Sequence, residues 1–506
     1  MIDSFFQALL HFTNPQVLLT LFAATLIGLI LGVLPGVTGG FGIIVLLPFI
    51  LGLDPMFILP IIIAFAATAG PGGAITSILL GIPGEPSNAA AILDGYPMTK
   101  KGEGLRAVGA AVTTCWMSNL ASVVFALGMV PLIVPIIMQF KAPETCLMIA
   151  VAICFISAVT RGSRLKGLIS ACIGLLLSTI GFQAKTGVAR FTFGSLYLYD
   201  GIGLIMMVLG CFALPVLVEM IAEEEPPVPQ EAMSPKGMHN YRELFRGVQD
   251  VFRHFGMWLR TTIMGYIVGV IPGVGGETSP WIGYAHAKQC SKNPETFGEG
   301  NVEGVIGAES ANNAKTGGDL LTTLALGIPG SGKMVFILAA LVLVGIQPGP
   351  WVIMRHTTLA FTMLQTVAVT SIMAAIVLYA CGPYMLKLVQ APIIYQFAFL
   401  VPLVYISVNA GDGAIMDIFI LALIAIVAHF LKKHGYFLSA LVMGFILGGL
   451  FEYYLWQSLD LVGPTFFISS PICIALLISM PLILYYEDIR DWIARRRTKN
   501  TELPAG

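Results

Sequence analysis

The sequence predicts an all-α polytopic membrane protein made of two homologous halves, and three observations carry that prediction. Of 506 residues, 57% are hydrophobic and only 11% are charged, with a mean hydropathy of +0.86. A soluble surface draws on about a quarter of its residues as charged ones, so this chain has too few to clothe one. Long charge-free stretches follow one another along the whole length, and a set of proline-glycine motifs in the first half returns in the same order in the second. The 27 Lys plus Arg nearly cancel the 28 Asp plus Glu. That balance removes the basic footprint of a nucleic-acid binder, and the low polarity excludes a disordered scaffold.

A spanning helix needs about 20 apolar residues. Charge-free intervals lie at 4–53, 55–84, 107–140, 145–160, 167–184 and 201–218, then at 261–276, 334–354, 356–386, 388–411, 434–451 and 461–486. Several accommodate two passes or a re-entrant hairpin, so about 11 to 14 membrane-embedded segments are expected. The first residues, Met1 to Asn14, carry Asp3 and no Lys or Arg; they lack the basic start of a signal peptide and are expected to insert uncleaved. A first transmembrane repeat is assigned to 1–222. Residues 223–240, with Glu223-Glu224-Glu225-Pro226-Pro227, Pro229 and Pro235, read as a cytoplasmic linker. The second repeat occupies 241–490. It opens with a segment that places Leu244, Val248, Val251, Phe252 and Phe255 on one face against Arg242, Arg246 and Arg253, the pattern of a helix in the cytoplasmic interface. Residues 491–506 form a basic tail. Arg161, Arg164 and Lys166, the arginines of 242–253, Lys432-Lys433, and Arg490 through Lys499 form four basic clusters, which positive-inside logic assigns to the cytoplasm together with the C-terminus.

Two blocks make up the repeat. Gly28-Leu-Ile-Leu-Gly32-Val-Leu-Pro35-Gly36-Val37-Thr38-Gly39 returns as Gly265-Tyr-Ile-Val-Gly269-Val-Ile-Pro272-Gly273-Val274-Gly275-Gly276. Gly72-Gly73, continuing to Gly81-Ile82-Pro83-Gly84, returns as Gly317-Gly318, continuing to Gly327-Ile328-Pro329-Gly330. Proline-glycine inside an apolar run stops a helix, and the freed backbone groups cannot face lipid. Interruptions at matched positions of two halves point to a transporter's substrate site, where half-helix N-termini meet anionic groups and unwound carbonyls hold a cation. The segment before the first motif carries only Asp3 whereas its counterpart carries three arginines, so the repeats are expected to be inverted.

Candidate substrate contacts therefore gather at the four breaks: Gly36, Thr38 and Gly39; Pro83, Gly84, Ser87 and Asn88; Gly273, Gly275 and Gly276; Asn312, Asn313, Thr322, Pro329, Gly330, Ser331 and Lys333. Thr76, Ser77, Glu85, Asp94, Glu277, Thr278, Ser310, Lys315, Asp319 and Thr323 are the other polar groups beside them. Glu309, Asn312, Asn313 and Thr38 are the candidates for a coupling ion, because ionisable groups within a membrane are costly and functional by default. Lys100-Lys101, Glu103 and Arg106 read as a solvated loop. Gly327 to Lys333 fits the front of a phosphate-binding loop, but Met334 stands where the Mg²⁺-binding hydroxyl belongs. ATP binding is rejected. The eight cysteines are scattered without a C-x-x-C pair and read as small buried hydrophobes, and the histidines lack metal-ligand spacing. Neither a cofactor nor an enzyme's catalytic cluster is expected.

These motifs give the chain a resemblance to the large membrane subunit of the tripartite tricarboxylate transporter family. It rests on Leu-Pro35-Gly36-x-x-Gly-Gly, Gly-Ile-Pro83-Gly84, Leu93-Asp94-Gly95-Tyr96-Pro97-Met98 with Lys101-Gly102-Glu103, Glu309-Ser-Ala-Asn312-Asn313-Ala314, Leu-Gly-Ile-Pro329-Gly330 and Gly345-x-x-Pro348-Gly349-Pro350. The resemblance implies a permease of the bacterial inner membrane that works with a small membrane subunit and a periplasmic solute-binding protein, with possible homodimerisation of the complex. It implies uptake of a di- or tricarboxylate by Na⁺ or H⁺ symport without ATP, through an elevator or rocking movement. Glu277, Lys315 and Lys333 depart from the small or hydroxyl residues usual in the family. The alternative is a passive anion channel on the same broken repeats; counterflow of labelled substrate separates the two.

Overall fold

The computed structural model describes residues 1–33, 52–159, 164–183, 185–215, 241–271, 275–389 and 415–484, with positions 40, 42, 43, 50, 218 and 402 besides. The proline-glycine tips at 35–36 and 272–273, the linker 223–240 and the tail 491–506 lie outside these residues. In chain order the helices are α1 (Ile2–His11), α2 (Pro15–Val33), α3 (Pro55–Leu80), α4 (Ala89–Lys100), α5 (Gly104–Ile137), α6 (Ala142–Val159), α7 (Arg164–Leu177), α8 (Leu204–Val208), α9 (Tyr241–Arg253), α10 (Phe255–Val270), α11 (Gly275–Cys290), α12 (Val302–Leu326), α13 (Gly332–Leu343), α14 (Pro350–Arg355), α15 (Thr357–Val389), α16 (Ile415–Lys433), α17 (Leu438–Val462) and α18 (Pro471–Leu484). The strands among the described residues are one short antiparallel pair, β1 (Gly181–Phe182) and β2 (Ala189–Arg190). Five described helices, at 15–33, 55–80, 104–135, 357–381 and 438–462, are long and apolar enough to cross a bilayer, and shorter apolar helices accompany them. The protein is an all-α polytopic membrane protein.

Compact packing divides the chain into residues 1–137 with 204–429, and residues 138–203 with 430–506. Each half of the sequence thus feeds both units. In the second unit, β2 is held by a bidentate ion pair, Arg190 Nη1 and Nη2 to Glu452 Oε1 and Oε2 at 2.8 and 2.9 Å. Lys166 Nζ donates to the His434 carbonyl at 2.6 Å, and Ser470 Oγ donates to Glu144 Oε1 at 2.7 Å.

At the centre of the first unit stand α3 and α12. Both are buried almost all round, which explains why neither shows a polar stripe. Each opens on a side-chain cap: Asp54 Oδ1 accepts from Met56 N at 2.7 Å, and Asn301 Oδ1 from Glu303 N at 2.9 Å. Such caps satisfy amides that the helix leaves without partners. Each closes on a left-handed glycine of the same conformation, Gly81 and Gly327, both at φ 70° and ψ 17°. Glycine adopts that conformation without the Cβ clash that stops other residues, which ends the helix.

Neighbouring helices repeat the match. Helix α2 packs on α3 and α10 on α12, with Gly32 against the Ala69 carbonyl and Gly269 against the Lys315 carbonyl so closely that neither leaves room for a Cβ. Thr76 Oγ1 donates to Val33 O, and Thr322 Oγ1 to Val270 O, each at 2.9 Å. Gly72 abuts Leu29 and Gly32 as Gly318 abuts Tyr266 and Gly269. This pairing corrects the register read from the sequence: Gly72 corresponds to Gly318 and Gly73 to Asp319, one residue away from the glycine-glycine alignment. A pair of glycines matches easily at either offset; helix contacts admit only one.

Helix α9 packs by one face. Its buried face is Leu244, Gly247, Asp250 and Val251, and it packs on α5. Phe252 and Phe245 of this helix are 55% and 63% exposed and point away from that packed face, and Phe255, which opens α10, is 46% exposed. Arg106 is not in a solvated loop. It lies in α5 and pairs with Asp250 at 2.6 Å and Glu103 at 2.9 Å.

Candidate functional site

Beyond Gly81 the chain runs through Ile82-Pro83-Gly84 and a tight turn at Pro86–Asn88 into α4; beyond Gly327 it runs through Ile328-Pro329-Gly330 and Ser331 into α13. Both breaks expected at Pro83-Gly84 and Pro329-Gly330 are present. Gly84 lies against Gly73 Cα, and a Cβ built on Gly330 would stand 2.7 Å from Asp319 Cα. Each tip folds back on its own helix at the same place. Glycine is needed there because the backbones touch.

The charges break this symmetry. In the corrected register Ala69, Gly73, Glu85 and Ser87 answer to Lys315, Asp319, Ser331 and Lys333. Four ionisable side chains are thus gathered where the other repeat has small or hydroxyl residues. Lys333 Nζ lies 2.5 Å from Glu85 Oε2. Glu85 is 1% exposed, whereas the Lys333 side chain keeps 25%. Asp319 is buried beside Ser331, Lys315 and Lys333. Its Oδ1 has no hydrogen-bond partner among the described residues. Lys315 donates to the Gly276 carbonyl at the start of α11, and Gly276 in turn lies against Ser331.

Nearly two turns before Lys315 on α12, Glu309 is fully buried in a network of amides. Its Oε2 takes Asn313 Nδ2 at 3.2 Å and faces the Cys115 thiol at 3.7 Å; its Oε1 faces Asn88 Nδ2 at 3.4 Å. Asn312 also approaches it. Asn313 Nδ2 lies 3.0 Å from Cys115 Sγ, and Asn119 Nδ2 lies 3.4 Å from Asn313 Oδ1. Asn88 Oδ1 and Asn119 Oδ1 are buried without hydrogen-bond partners among the described residues. Asn88 therefore brings the first repeat's tip to the second repeat's acidic helix.

The structure thus gathers Gly84, Glu85, Asn88, Gly276, Glu309, Asn312, Asn313, Asp319, Gly330, Ser331 and Lys333 in the interior of one unit. Ser87 is buried beside them, and Pro329 is buried while Pro83 is exposed. Gly275 opens α11. Gly36, Thr38, Gly39 and Gly273 lie outside the described residues. Thr322 is committed to the Val270 carbonyl. Asp94 plays a structural part, since its Oδ1 accepts from the amides of Gly298, Gly300 and Asn301 at 2.9, 2.9 and 2.8 Å and so fixes the loop that enters α12. Asn119 and Cys115 of α5 were missed in the sequence. The available signal was a polar stripe, Thr113-Thr114-Cys115 with Ser118-Asn119, inside an apolar run. Of the cysteines, Cys172, Cys290 and Cys381 are exposed, contrary to the reading of all eight as buried.

A multi-pass helical protein with paired helix breaks and a buried, charged polar centre belongs to the class of membrane transporters. The model of the tripartite tricarboxylate transporter TctA family matches residues 18–443, and the chain belongs to that family. It is a transporter family, so the protein is not an enzyme, and its description as tripartite implies partner subunits. Two relatives come from Agrobacterium vitis. The "uncharacterized 52.8 kDa protein in TAR-I ttuC' 3'region" is 31% identical over 459 residues, 90% of this chain and 90% of the relative. The "uncharacterized protein in TAR-II ttuC' 3'region" is 32% identical over 219 residues, 42% of this chain and 89% of the relative. No solved structure matches the chain.

Proposed function

We propose that this chain is the permease subunit through which a small di- or tricarboxylate enters the cell across the bacterial inner membrane, driven by an Na⁺ or H⁺ gradient. A periplasmic solute-binding protein delivers the substrate and a small membrane subunit completes the complex. The carboxylate binds at the two tips, against the backbone amides and hydroxyls around Gly84, Ser87, Gly330 and Ser331 and the ammonium of Lys333. Glu309, with Asn312 and Asn313, takes the coupling ion. The two repeats are inverted, and the C-terminus is cytoplasmic.

One observation carries the ion-coupled reading. Three buried carboxylates, Glu85, Asp319 and Glu309, face two ammonium groups, Lys315 and Lys333. Formally the cluster is negative before any substrate arrives. Uncompensated charge in a low-dielectric interior costs several kcal/mol per ion, so an entering carboxylate needs cations or protons with it. The charged groups all belong to one compact unit, which suits carriage of the site as a body in an elevator movement.

The test is uptake of labelled citrate, succinate and malate into proteoliposomes holding all three subunits, with Na⁺ and pH gradients imposed separately. Accumulation that collapses with one gradient, together with trans-stimulated exchange, is the expected outcome. Large current without trans-stimulation would mean a channel, and no accumulation under either gradient would remove the coupling claim.

A further inference from the structure

We infer that Glu85 is a resident stand-in for the substrate: its carboxylate holds Lys333, and an incoming carboxylate binds by taking Lys333 away from it. This inference rests on the proposed carriage of carboxylates through the same site.

The ion pair links the two tips, since Glu85 follows Pro83-Gly84 and Lys333 follows Pro329-Gly330. Neither residue has a charged counterpart in the other repeat, where Ser331 and Ser87 occupy the equivalent places. The pair is therefore additional to the fold that the repeats share. It sits over Gly70 of α3, where a Cβ would meet Glu85 Oε2 at 3.7 Å and Lys333 Nζ at 3.8 Å. The next residue, Pro71, interrupts the helix ladder.

Exposure assigns the two partners different parts. Glu85 is sealed, and Lys333 is the partner with an open side. An ammonium has three donors and no acceptor, and among the described residues Glu85 Oε2 is the oxygen in ion-pair contact with this one. A carboxylate approaching from the open side meets N–H donors first. The incoming group is chemically what Lys333 already holds, so its oxygen and that of Glu85 compete for one cation. A buried charge pair is weak support for stability because desolvation offsets much of the Coulomb gain, which leaves its retention at a substrate site in want of a functional reason. Competition supplies one: Lys333 stays compensated when the site is empty, so the empty carrier does not hold a bare ammonium in its interior.

The experiment is citrate-, succinate- and malate-induced stabilisation of the purified complex, read as half-saturating concentration, for the wild type, Glu85→Gln and Lys333→Gln. Thermal stability without ligand is measured alongside. The Gln amide cannot match a carboxylate as partner for an ammonium. Glu85→Gln is therefore expected to bind at least one of the three about tenfold more tightly than the wild type, the scale of one charge-assisted hydrogen bond. Lys333→Gln is expected to lose that binding. If the wild type binds a carboxylate and Glu85→Gln binds it no more tightly, the stand-in role is overturned while the transport reading survives. Equal weakening in both variants, in step with their loss of stability, assigns the pair to structure and overturns the role too. If none of the three binds the wild type or Glu85→Gln, the carboxylate reading and the inference built on it both fall.

Discussion

Thr76 and Thr322 do the same work in the two repeats. Each hydroxyl donates at 2.9 Å to the carbonyl that ends the neighbouring helix, Val33 of α2 and Val270 of α10. The last carbonyls of a helix have no partner within it, and in both copies of the sequence a proline-glycine pair follows. Thr→Val keeps the shape and removes the donor. We predict that Thr76→Val and Thr322→Val each destabilise the protein by about 1–3 kcal/mol, the cost of a buried acceptor left unmade, whereas Thr→Ser at either position costs less. Thermal inactivation of the purified protein measures this, and unchanged stability in the valine variants would mean that water reaches those carbonyls.

Gly32 and Gly269 test the helix crossings. A Cβ at either position would overlap a backbone oxygen, of Ala69 or of Lys315, and backbone cannot rotate aside as a side chain can. Gly128, in α5, has nothing within 4 Å of the same construction. Alanine at 32 or 269 is therefore predicted to lower the yield of folded protein several-fold by overpacking. Gly128→Ala should be neutral or slightly favourable, since alanine is the better helix former by about 1 kcal/mol. Size-exclusion profiles of the three variants decide it; equal behaviour would contradict the crossings.

Much of this was legible in the sequence for a physical reason. Proline-glycine breaks and glycine crossings are backbone requirements, so they leave the same residue at both copies of a position, and Pro83/Pro329 or Gly32/Gly269 can be matched without a structure. The charged centre was legible only as a set of candidates. Glu85 and Lys333 lie far apart in the chain, and nothing local in either marks the other as its partner. Asp94 looked like Glu85, a carboxylate near a break, yet it binds three loop amides. Asn119 was hidden because one amide in an apolar helix is easily read as incidental polarity. The one-residue register error arose where adjacent glycines carried the least information.

Asp94 yields a prediction that separates structure from transport. Its Oδ1 takes three amides ahead of α12, and charge-assisted hydrogen bonds of this kind contribute about 1.5–3 kcal/mol each. Asp94→Ala should destabilise the protein by more than about 3 kcal/mol even if the three bonds are far from additive. Asp94→Asn, which retains an acceptor oxygen, should be intermediate. Whatever folded protein remains is expected to keep the wild-type ranking of carboxylates in a competition assay, and a changed ranking would place Asp94 in the binding site.

Arg106 and Asp250 fasten α9 to α5. Asp250 has a side chain only 3% exposed, and Arg106 reaches it at 2.6 Å. Removing the arginine leaves a buried carboxylate short of its closest cation, a loss that costs about 3–5 kcal/mol in fully buried pairs and less here, where Arg106 keeps 29% exposure. Arg106→Met is predicted to loosen α9 and speed its proteolysis; Arg106→Met with Asp250→Leu should recover part of the resistance, because it removes the stranded charge as well. Unchanged proteolysis in Arg106→Met would show that the contact of Gly247 and Leu244 with α5 holds the helix by itself.

Glu309 offers the sharpest test of coupling. It is buried among Asn88, Asn312, Asn313 and Cys115, and the amide oxygens of Asn88 and Asn119 have no hydrogen-bond partners among the described residues. A carboxylate with neutral amide oxygens is an oxygen-rich donor set of the kind hard cations choose, and a buried carboxylate can also be neutralised by a proton. Either way, occupancy requires the charge that Glu309→Gln deletes. The variant is predicted to retain exchange of labelled for unlabelled carboxylate, because exchange needs no net ion movement, and to lose at least about nine-tenths of gradient-driven accumulation. Asn88→Ala discriminates the two ions: under Na⁺ coupling it raises the Na⁺ concentration for half-maximal uptake, and under H⁺ coupling it leaves the Na⁺ dependence flat. Full accumulation by Glu309→Gln under the wild type's driving gradient would move the coupling ion to another of the buried carboxylates, with Asp319 the next to replace.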